Sequence, residues 1–522
     1  MGWIRTRVVR LVAVVIALNL SQLVLAQSAG STWIQLNPTG GPPGQRLLPS
    51  AAYDPTTNRM LVFGGANEDY GTVCTNSGAA CYNDVWVLAN ADGLGGTPAW
   101  SQLAPSGIPP APRFGSGAGY DPGNNRLIIF GGGIVDNAVL VTACSGPVSA
   151  GYANDVWILT NANGSGGAPA WTPVTPVGVP PAARRSGATV YDAANNRLIM
   201  FGGQEPCGKL NDVWVLSNAN GLGGTPAWTQ LNISGPMPAA RGEMAYAGAY
   251  DAANNRLIIF GGESELVDYN DVWVLSNANG LGGTPAWTQL SPAGGPPTTR
   301  HAHAVTYDAA ANTLTVIGGV NHSQTNFFGD VWRLSNANGL GGTPVWTQLN
   351  PQGSSPGPRA GQSAVYHQAA RRATVFAGAN CVPCSGLNDT WVLAESTVVP
   401  FSAFSSAVWI NDESSGFAAR GGFTPGPGGT VDPPTQTVTF RLGGFTATIP
   451  AGSFQANNGA FTFWGVINGV PFEMMIQPQG GGGYTFRVEA AGGSNLPTGN
   501  PVTVGLTIGN NTGSIHVNAS FD

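Results

Sequence analysis

One recurring tetrapeptide limits the possible folds more than any other feature of the chain. Asn-Asp-Val-Trp occurs with its tryptophan at 86, 157, 214 and 273, then as Gly-Asp-Val-Trp at 332 and Asn-Asp-Thr-Trp at 391, the later copies 59 residues apart. Ahead of each lies an apolar run closed by small residues: Phe63-Gly64-Gly65, Phe130-Gly131-Gly132, Phe201-Gly202-Gly203, Phe260-Gly261-Gly262, Ile317-Gly318-Gly319 and the decayed Phe376-Ala377-Gly378. A second tryptophan series stands at 33, 100, 171, 228, 287 and 346. Fixed-period self-similarity of this length indicates one supersecondary unit copied and stacked, each copy burying its neighbour's apolar face. Runs such as Arg256-Leu-Ile-Ile-Phe-Gly-Gly262 do not alternate, so both faces of the strand must be covered.

Composition narrows the class further. The chain is 42% hydrophobic and only 9% charged, with 76 glycines and 40 prolines, which excludes disorder and favours short strands and many turns. A net charge of −6 and one lysine, Lys209, exclude a phosphate-gripping nucleic-acid surface. At the amino terminus Arg5, Arg7 and Arg10 precede the apolar run 11–18, and Val24-Leu25-Ala26 precedes Gln27. These are the parts of a secretory signal, with cleavage expected after Ala26. Its loss removes three arginines and no acid, taking the net charge from −6 to −9. The predicted product is secreted, periplasmic or at the cell surface, with no membrane span after cleavage.

The repeats resemble the kelch repeat, over roughly residues 31–395. That resemblance implies a β-propeller whose blades read strand a, strand b ending in Gly-Gly, strand c with an aromatic and strand d with tryptophan. The expectation is an all-β chain, a six-bladed kelch-type propeller followed by a β-sandwich-like domain. Its divisions are a signal at 1–26, a propeller at 27–396, a linker at 397–435 and a sandwich at 436–522. The chain enters with a lone d strand (32–36) and the last repeat lacks one, so the amino-terminal strand is expected to complete it and leave no open edge. Beyond 435, seven alternating runs are read as strands, two of them joined by the hairpin signal Asn468-Gly469.

Residues present in every repeat are read as scaffold. This covers the aspartates 84, 155, 212, 271, 330 and 389 and the arginines 46, 113, 184, 241, 300 and 359. The c–d loops, Asn-Ala-Asn-Gly-Leu-Gly-Gly-Thr-Pro, are read as turns and not calcium loops, because they have almost no carboxylates. Cys74, Cys81, Cys144, Cys207, Cys381 and Cys384 all fall in b–c loops and are read as disulfides, with Cys74–Cys81, Cys144–Cys207 and Cys381–Cys384 as the expected pairs.

Function is sought where the symmetry breaks. From repeat arginine to the end of strand a the gap is eight residues in repeats 1, 2, 3 and 5, but ten in repeat 4 (Arg241 to Asp251). That insertion carries Glu243. The b–c loop of repeat 4 carries Glu263, Glu265, Asp268 and Tyr269, while repeat 5 contributes His301, His303, His322, Phe327 and Phe328. His301 and His303, two apart, are expected on one side of their strand. Glu243, Glu263, Glu265, Asp268, Tyr269, His301, His322, Phe327 and Phe328 form the candidate ligand-binding set, with no catalytic residue assigned. No cofactor is expected, although histidines with carboxylates would suit zinc or a similar ion. The kelch resemblance implies a monomeric binding or scaffold protein that grips a protein or glycan through its b–c and d–a loops. The alternative is a carbohydrate-active enzyme, similar to the kelch sialic-acid epimerases or the radical-copper oxidases. The oxidase carry-over fails, since it needs a Tyr–Cys crosslink and every cysteine here has an expected disulfide partner.

Overall fold

The computed structural model describes residues 31–67, 81–134, 151–381, 385–395, 399–411, 416–426, 431–457, 459–492 and 496–521. The 1–26 segment, Cys74, Cys144 and Cys384 lie outside them. The chain is all-β and divides into two compact units, one being Gly30–Ser396 and the other containing Thr397–Asp522. Among the described residues no helix is long and apolar enough to cross a membrane.

The first unit consists of six antiparallel meanders in chain order. In sheet 4, for example, strands a to d are Gly248–Asp251, Arg256–Phe260, Val272–Ser276 and Ala286–Leu290. In sheet 6 the fourth strand is the amino-terminal Ser31–Leu36, paired along its length with Thr390–Glu395. Apolar clusters lie between each sheet and the next, including sheet 6 against sheet 1 through Phe376, Val392, Met60 and Leu88. In sheets 1 to 5 the strand-d tryptophan packs against the strand-b phenylalanine of the sheet before it, as Trp287 does edge-on to Phe201 at 5.0 Å, while Trp33 of sheet 6 meets Ile317 instead.

Both invariant charged series are scaffold. Each repeat arginine is buried and pairs with the aspartate of its own sheet at 2.5–2.8 Å. The second carboxylate oxygen accepts the indole N–H of the following tryptophan, as Asp84 does from Trp86 at 2.7 Å. The arginine main chain belongs to the preceding sheet: Arg46 N donates to Leu387 O at 2.9 Å and its carbonyl accepts from Gly378. Each arginine is therefore a bolt through two adjacent sheets.

Two residues beyond each arginine the backbone turns left-handed, with φ between 50° and 67° at Leu48, Gly115, Ser186, Glu243, Ala302 and Gly361. These positions link to one another. Leu48 N donates to Gly361 O, Gly115 to Leu48, Ser186 to Gly115, Met244 to Ser186, Ala302 to Glu243 and Gly361 to Ala302, at 2.7–2.9 Å. The six bonds close on themselves. Beneath them the a strands enclose a cavity of about 100 Å³ lined by Ser50, Ser116, Thr189 and Tyr246 among others.

The c–d loops are turns, as their sequence implies. Asn90, Asn161, Asn218, Asn277 and Asn336 have φ of 49–51°, a conformation asparagine tolerates. Asn163, Asn220, Asn279 and Asn338 donate to Asp54, Asp121, Asp192 and Asp251 of the preceding sheet at 2.6–2.7 Å.

His367 replaces that aspartate in sheet 6. It is buried beside Tyr53, at 3.9 Å between ring centroids, and Nε2 lies 3.0 Å from Thr374 Oγ1. Burial, helped by Arg372, pushes its pKa down to about 4. The folded imidazole stays neutral where the unfolded one protonates, so this stability is complete above pH 6.5 and declines as pH falls towards 4. The loss reaches about 3 kcal/mol. Urea midpoints of the parent should drop over that window more steeply than those of His367→Asn, and parallel pH profiles would disprove the assignment.

The second unit holds a five-stranded and a seven-stranded sheet on one core, with Phe440, Ile449 and Leu506 from the first facing Phe417, Phe472 and Phe486 from the second. Six of the seven runs expected beyond 435 are single strands, the last (514–521) is split between Asn511–Val517 and Ser520–Phe521 in different sheets, and Asn468-Gly469 forms its hairpin with both φ positive. The expected linker at 397–435 needs correction. Ala403–Asn411 and Gly416–Thr424 are long paired strands within the seven-stranded sheet. Their alternation, with Phe404, Val408 and Ile410 inward, is masked by the serines and glycines around it.

Candidate functional site

The b–c loop of sheet 4 folds back as a small hairpin. Glu263 pairs with Gly242 on one side and Asp268 on the other, and Ser264 closes the turn by accepting from the N–H groups of Leu266 and Val267. In sheet 5, Val320 pairs with both His301 and Phe327, which places His322 on the intervening turn. These pairings bring four predicted residues together. His301 Nδ1 lies 2.9 Å from Asp268 Oδ1 and 3.6 Å from Glu263 Oε2. His322 Nδ1 lies 3.6 Å from Glu263 Oε2 and 3.9 Å from Asp268 Oδ1, with its side chain 43% exposed. Glu263, Asp268 and His322 offer ligand atoms that all lie within 4.8 Å of one another. Among the described residues Asp268 Oδ2 is buried without a hydrogen-bond partner.

Sheet 3 supplies the countercharge. Lys209 Nζ donates to Glu263 Oε1 at 2.7 Å, and Arg185 pairs with buried Glu243 at 2.7 Å. Burial alone would raise the Glu243 carboxyl, but Arg185, with Lys209 and His301, holds it below the usual carboxylate range. For His301 burial works downward and is outweighed by the Asp268 hydrogen bond and the charges of Glu263, Asp268 and Glu243, so its pKa is raised. His303 differs. Burial, then Arg300 and His301, lower it to about 3, and its ring packs edge-on to Phe260 at 5.2 Å. The expectation that His301 and His303 share a side fails because Ala302, left-handed at φ 50°, breaks the strand alternation between them.

Other members of the predicted set stand apart. Glu265 is exposed at the hairpin tip beside Leu266, which is 82% exposed. Tyr269 and Phe328 are scaffold and are removed from the candidate site: their rings cover the guanidinium groups of Arg241 and Arg300 at 4.1 and 4.2 Å. Tyr82 covers Arg46 in the same way at 4.3 Å. Phe327 is half-buried and packs against Ala302, Val320 and Ala360. Sequence reasoning missed Arg185 and Lys209 as site residues. The available signal was that a chain with a single lysine places it one repeat from its densest acidic loop.

A model of the KLHDC2/KLHL20/DRC7 Kelch-repeats domain matches residues 146–378. Over those residues the repeats match the kelch repeat. Host cell factor 1 from Rattus norvegicus and from Homo sapiens are each 29% identical over 219 residues, 40% of this chain. The chain spans only 9% of the length of those relatives. Among solved structures, Trypanosoma rangeli sialidase in complex with the inhibitor DANA superposes with a TM-score of 0.40 at 10% identity, over 93% of both chains. A second structure of Trypanosoma rangeli sialidase gives 0.41 at 11%, over 92% of this chain and 87% of that one. Superposition at this level bears on no residue of the site. The Glu263–Asp268–His322 cluster sits on the b–c loops of sheets 4 and 5, outside the residues that bolt neighbouring sheets together.

Proposed function

We propose that this chain is an exported kelch-repeat scaffold that binds a protein partner through the b–c and d–a loops of sheets 4 and 5. In this reading the six sheets are the blades of a six-bladed propeller followed by a β-sandwich. Export rests on the amino-terminal signal pattern and on an even number of cysteines, none of the described ones free, with Cys74–Cys81, Cys144–Cys207 and Cys381–Cys384 as the proposed pairs; Cys81 itself opens the strand Cys81–Ala89 rather than lying in a loop. One observation carries the binding reading. The hairpin 263–268 exposes Leu266 and Val267 directly beside an acidic and histidine cluster in a chain with few charges. An apolar tip flanked by charge is the usual make-up of an interface anchor and its rim.

A second reading is favoured by the buried, unpartnered Asp268 Oδ2. Glu263, Asp268 and His322 would then hold a zinc-like ion with an open position, which suits three protein ligands. The test immobilises the parent, a Leu266→Asp/Val267→Asp variant and an opposite-face control, Leu281→Asp, and exposes each to a secreted-protein fraction with and without a chelator. Loop-tip changes should leave stability within about 0.5 kcal/mol. Capture by parent and control but not by the double variant is expected. Equal capture by all three would overturn the protein-binding reading, and loss on chelation alone would favour the metal.

A further inference from the structure

The seven-stranded sheet of the second unit carries an unusual row on the face away from its core. Trp464 lies opposite Glu473, Glu473 opposite Glu489, Glu489 opposite Ala418, and Ala418 opposite Trp409. Directly opposed residues share a sheet face, so two indoles flank two carboxylates across five adjacent strands. At a strand spacing of about 4.8 Å the indoles stand roughly 19 Å apart. Trp464 is 80% exposed and Trp409 41%, whereas the alternating neighbours Ile410, Phe417 and Phe472 face the core. Between the indoles lies a cleft of about 560 Å³, also lined by Asn411 and Pro471, within the range of real ligand sites.

We propose that this cleft binds an oligosaccharide, its sugar rings stacked on Trp409 and Trp464 and its hydroxyls donating to Glu473 and Glu489. The lining chemistry selects this class. Ionised carboxylates only accept hydrogen bonds, so the ligand must bring donors, and hydrogen bonds to charged groups are among the stronger ones. Indole faces take weakly polar C–H surface as well as cations. A single ammonium is held within about 6 Å of a ring centroid, so one cation cannot engage both indoles. An extended ligand with repeated C–H faces can. A basic peptide is disfavoured by Arg487, which donates to Glu489 and offsets its charge. Like charges directly opposite one another destabilise a sheet, and among the described residues Glu473 forms no ion pair. Ala418 leaves the floor hollow between Glu489 and Trp409.

The experiment titrates the full chain with β-1,4-glucan, β-1,4-xylan, chitin and β-1,3-glucan hexasaccharides, reading indole fluorescence and calorimetry. At least one should bind, with Trp409→Ala and Trp464→Ala each weakening it about tenfold or more and the double variant abolishing it. Glu473→Gln should weaken binding while leaving the melting temperature equal or slightly higher, because it relieves the opposed carboxylates. The matching disaccharide should bind more weakly than the hexasaccharide. Binding by none of the four, binding unchanged in the double variant, or saturation by an oligo-lysine peptide instead would each overturn the proposal. The variants in the first unit serve as controls, because this site shares no residue with the sheet 4–5 cluster.

Discussion

Arg46→Ala should destabilise the first unit by about 3–5 kcal/mol, the range for breaking a buried ion pair from one side. Four fixed bonds disappear together. Nη1 donates to Gly64 O and Asp84 Oδ1 at 2.8 Å, Nη2 to Asp84 Oδ2 at 3.0 Å, and Nε to Gly44 O at 2.9 Å. The substitution leaves a carboxylate and two carbonyls short of donors and uncovers the face of Tyr82. Arg46→Lys should recover little, since an ammonium cannot reproduce the planar fork. Asp84→Asn should be milder, because an amide oxygen can still accept from Trp86 and the arginine. Urea denaturation measures all three, and a loss below about 1 kcal/mol for Arg46→Ala would show the clamp to be dispensable.

Deleting residues 31–36 should lower the melting temperature by roughly 5–10 °C, taking about 2 °C per kcal/mol, the low end for large domains. Trp33 alone, packed with Ile317, Val331 and Trp391, is worth about 3–5 kcal/mol on truncation. Leu36 is lost from the cluster of Met60 and Phe376 as well. The deletion also bares Thr390–Glu395, six residues of unpaired strand edge, and exposed edges recruit other chains. Light scattering should therefore report association alongside the lowered melt. A monomeric variant with an unchanged melt would mean that the strand does not close the sheet.

The repeat framework was legible because kelch strands b and d are marked by residue type. Gly-Gly ends one and tryptophan fills the other, whatever the loops do. The paired arginine and aspartate series was equally plain. Tyr269 and Phe328 were not recognised as scaffold, because the position over the arginine is aromatic in only three repeats. Ala153, Leu210 and Leu387 occupy it elsewhere, and any side chain that shields the guanidinium serves. The left-handed positions were illegible for a stronger reason. Leu, Gly, Ser, Glu, Ala and Gly share no chemistry, since their backbone is dictated by the neighbouring sheets rather than by their own propensity. The acidic and histidine cluster showed through as a local excess of charge. Which of its members converge depended on one turn, at Ala302, that no local pattern announces.

The circle of six backbone bonds behaves like a hoop of fixed circumference. A strip with free ends could absorb two extra residues by sliding along its neighbour, but a hoop cannot lengthen. In sheet 4 the surplus leaves the perimeter instead: Glu243 keeps the accepting role, Met244 takes over the donating one, and the next turn is pushed towards the axis. Tyr246 ends in the axial cavity, and the Glu243 side chain is turned onto Arg185. That cavity has about 100 Å³ left, and Tyr246 already lines it. An equal insertion at this point in any other repeat would compete for the same space. The hoop thus admits one such departure from symmetry at a time, and where it falls decides which sector of the face can differ from the rest.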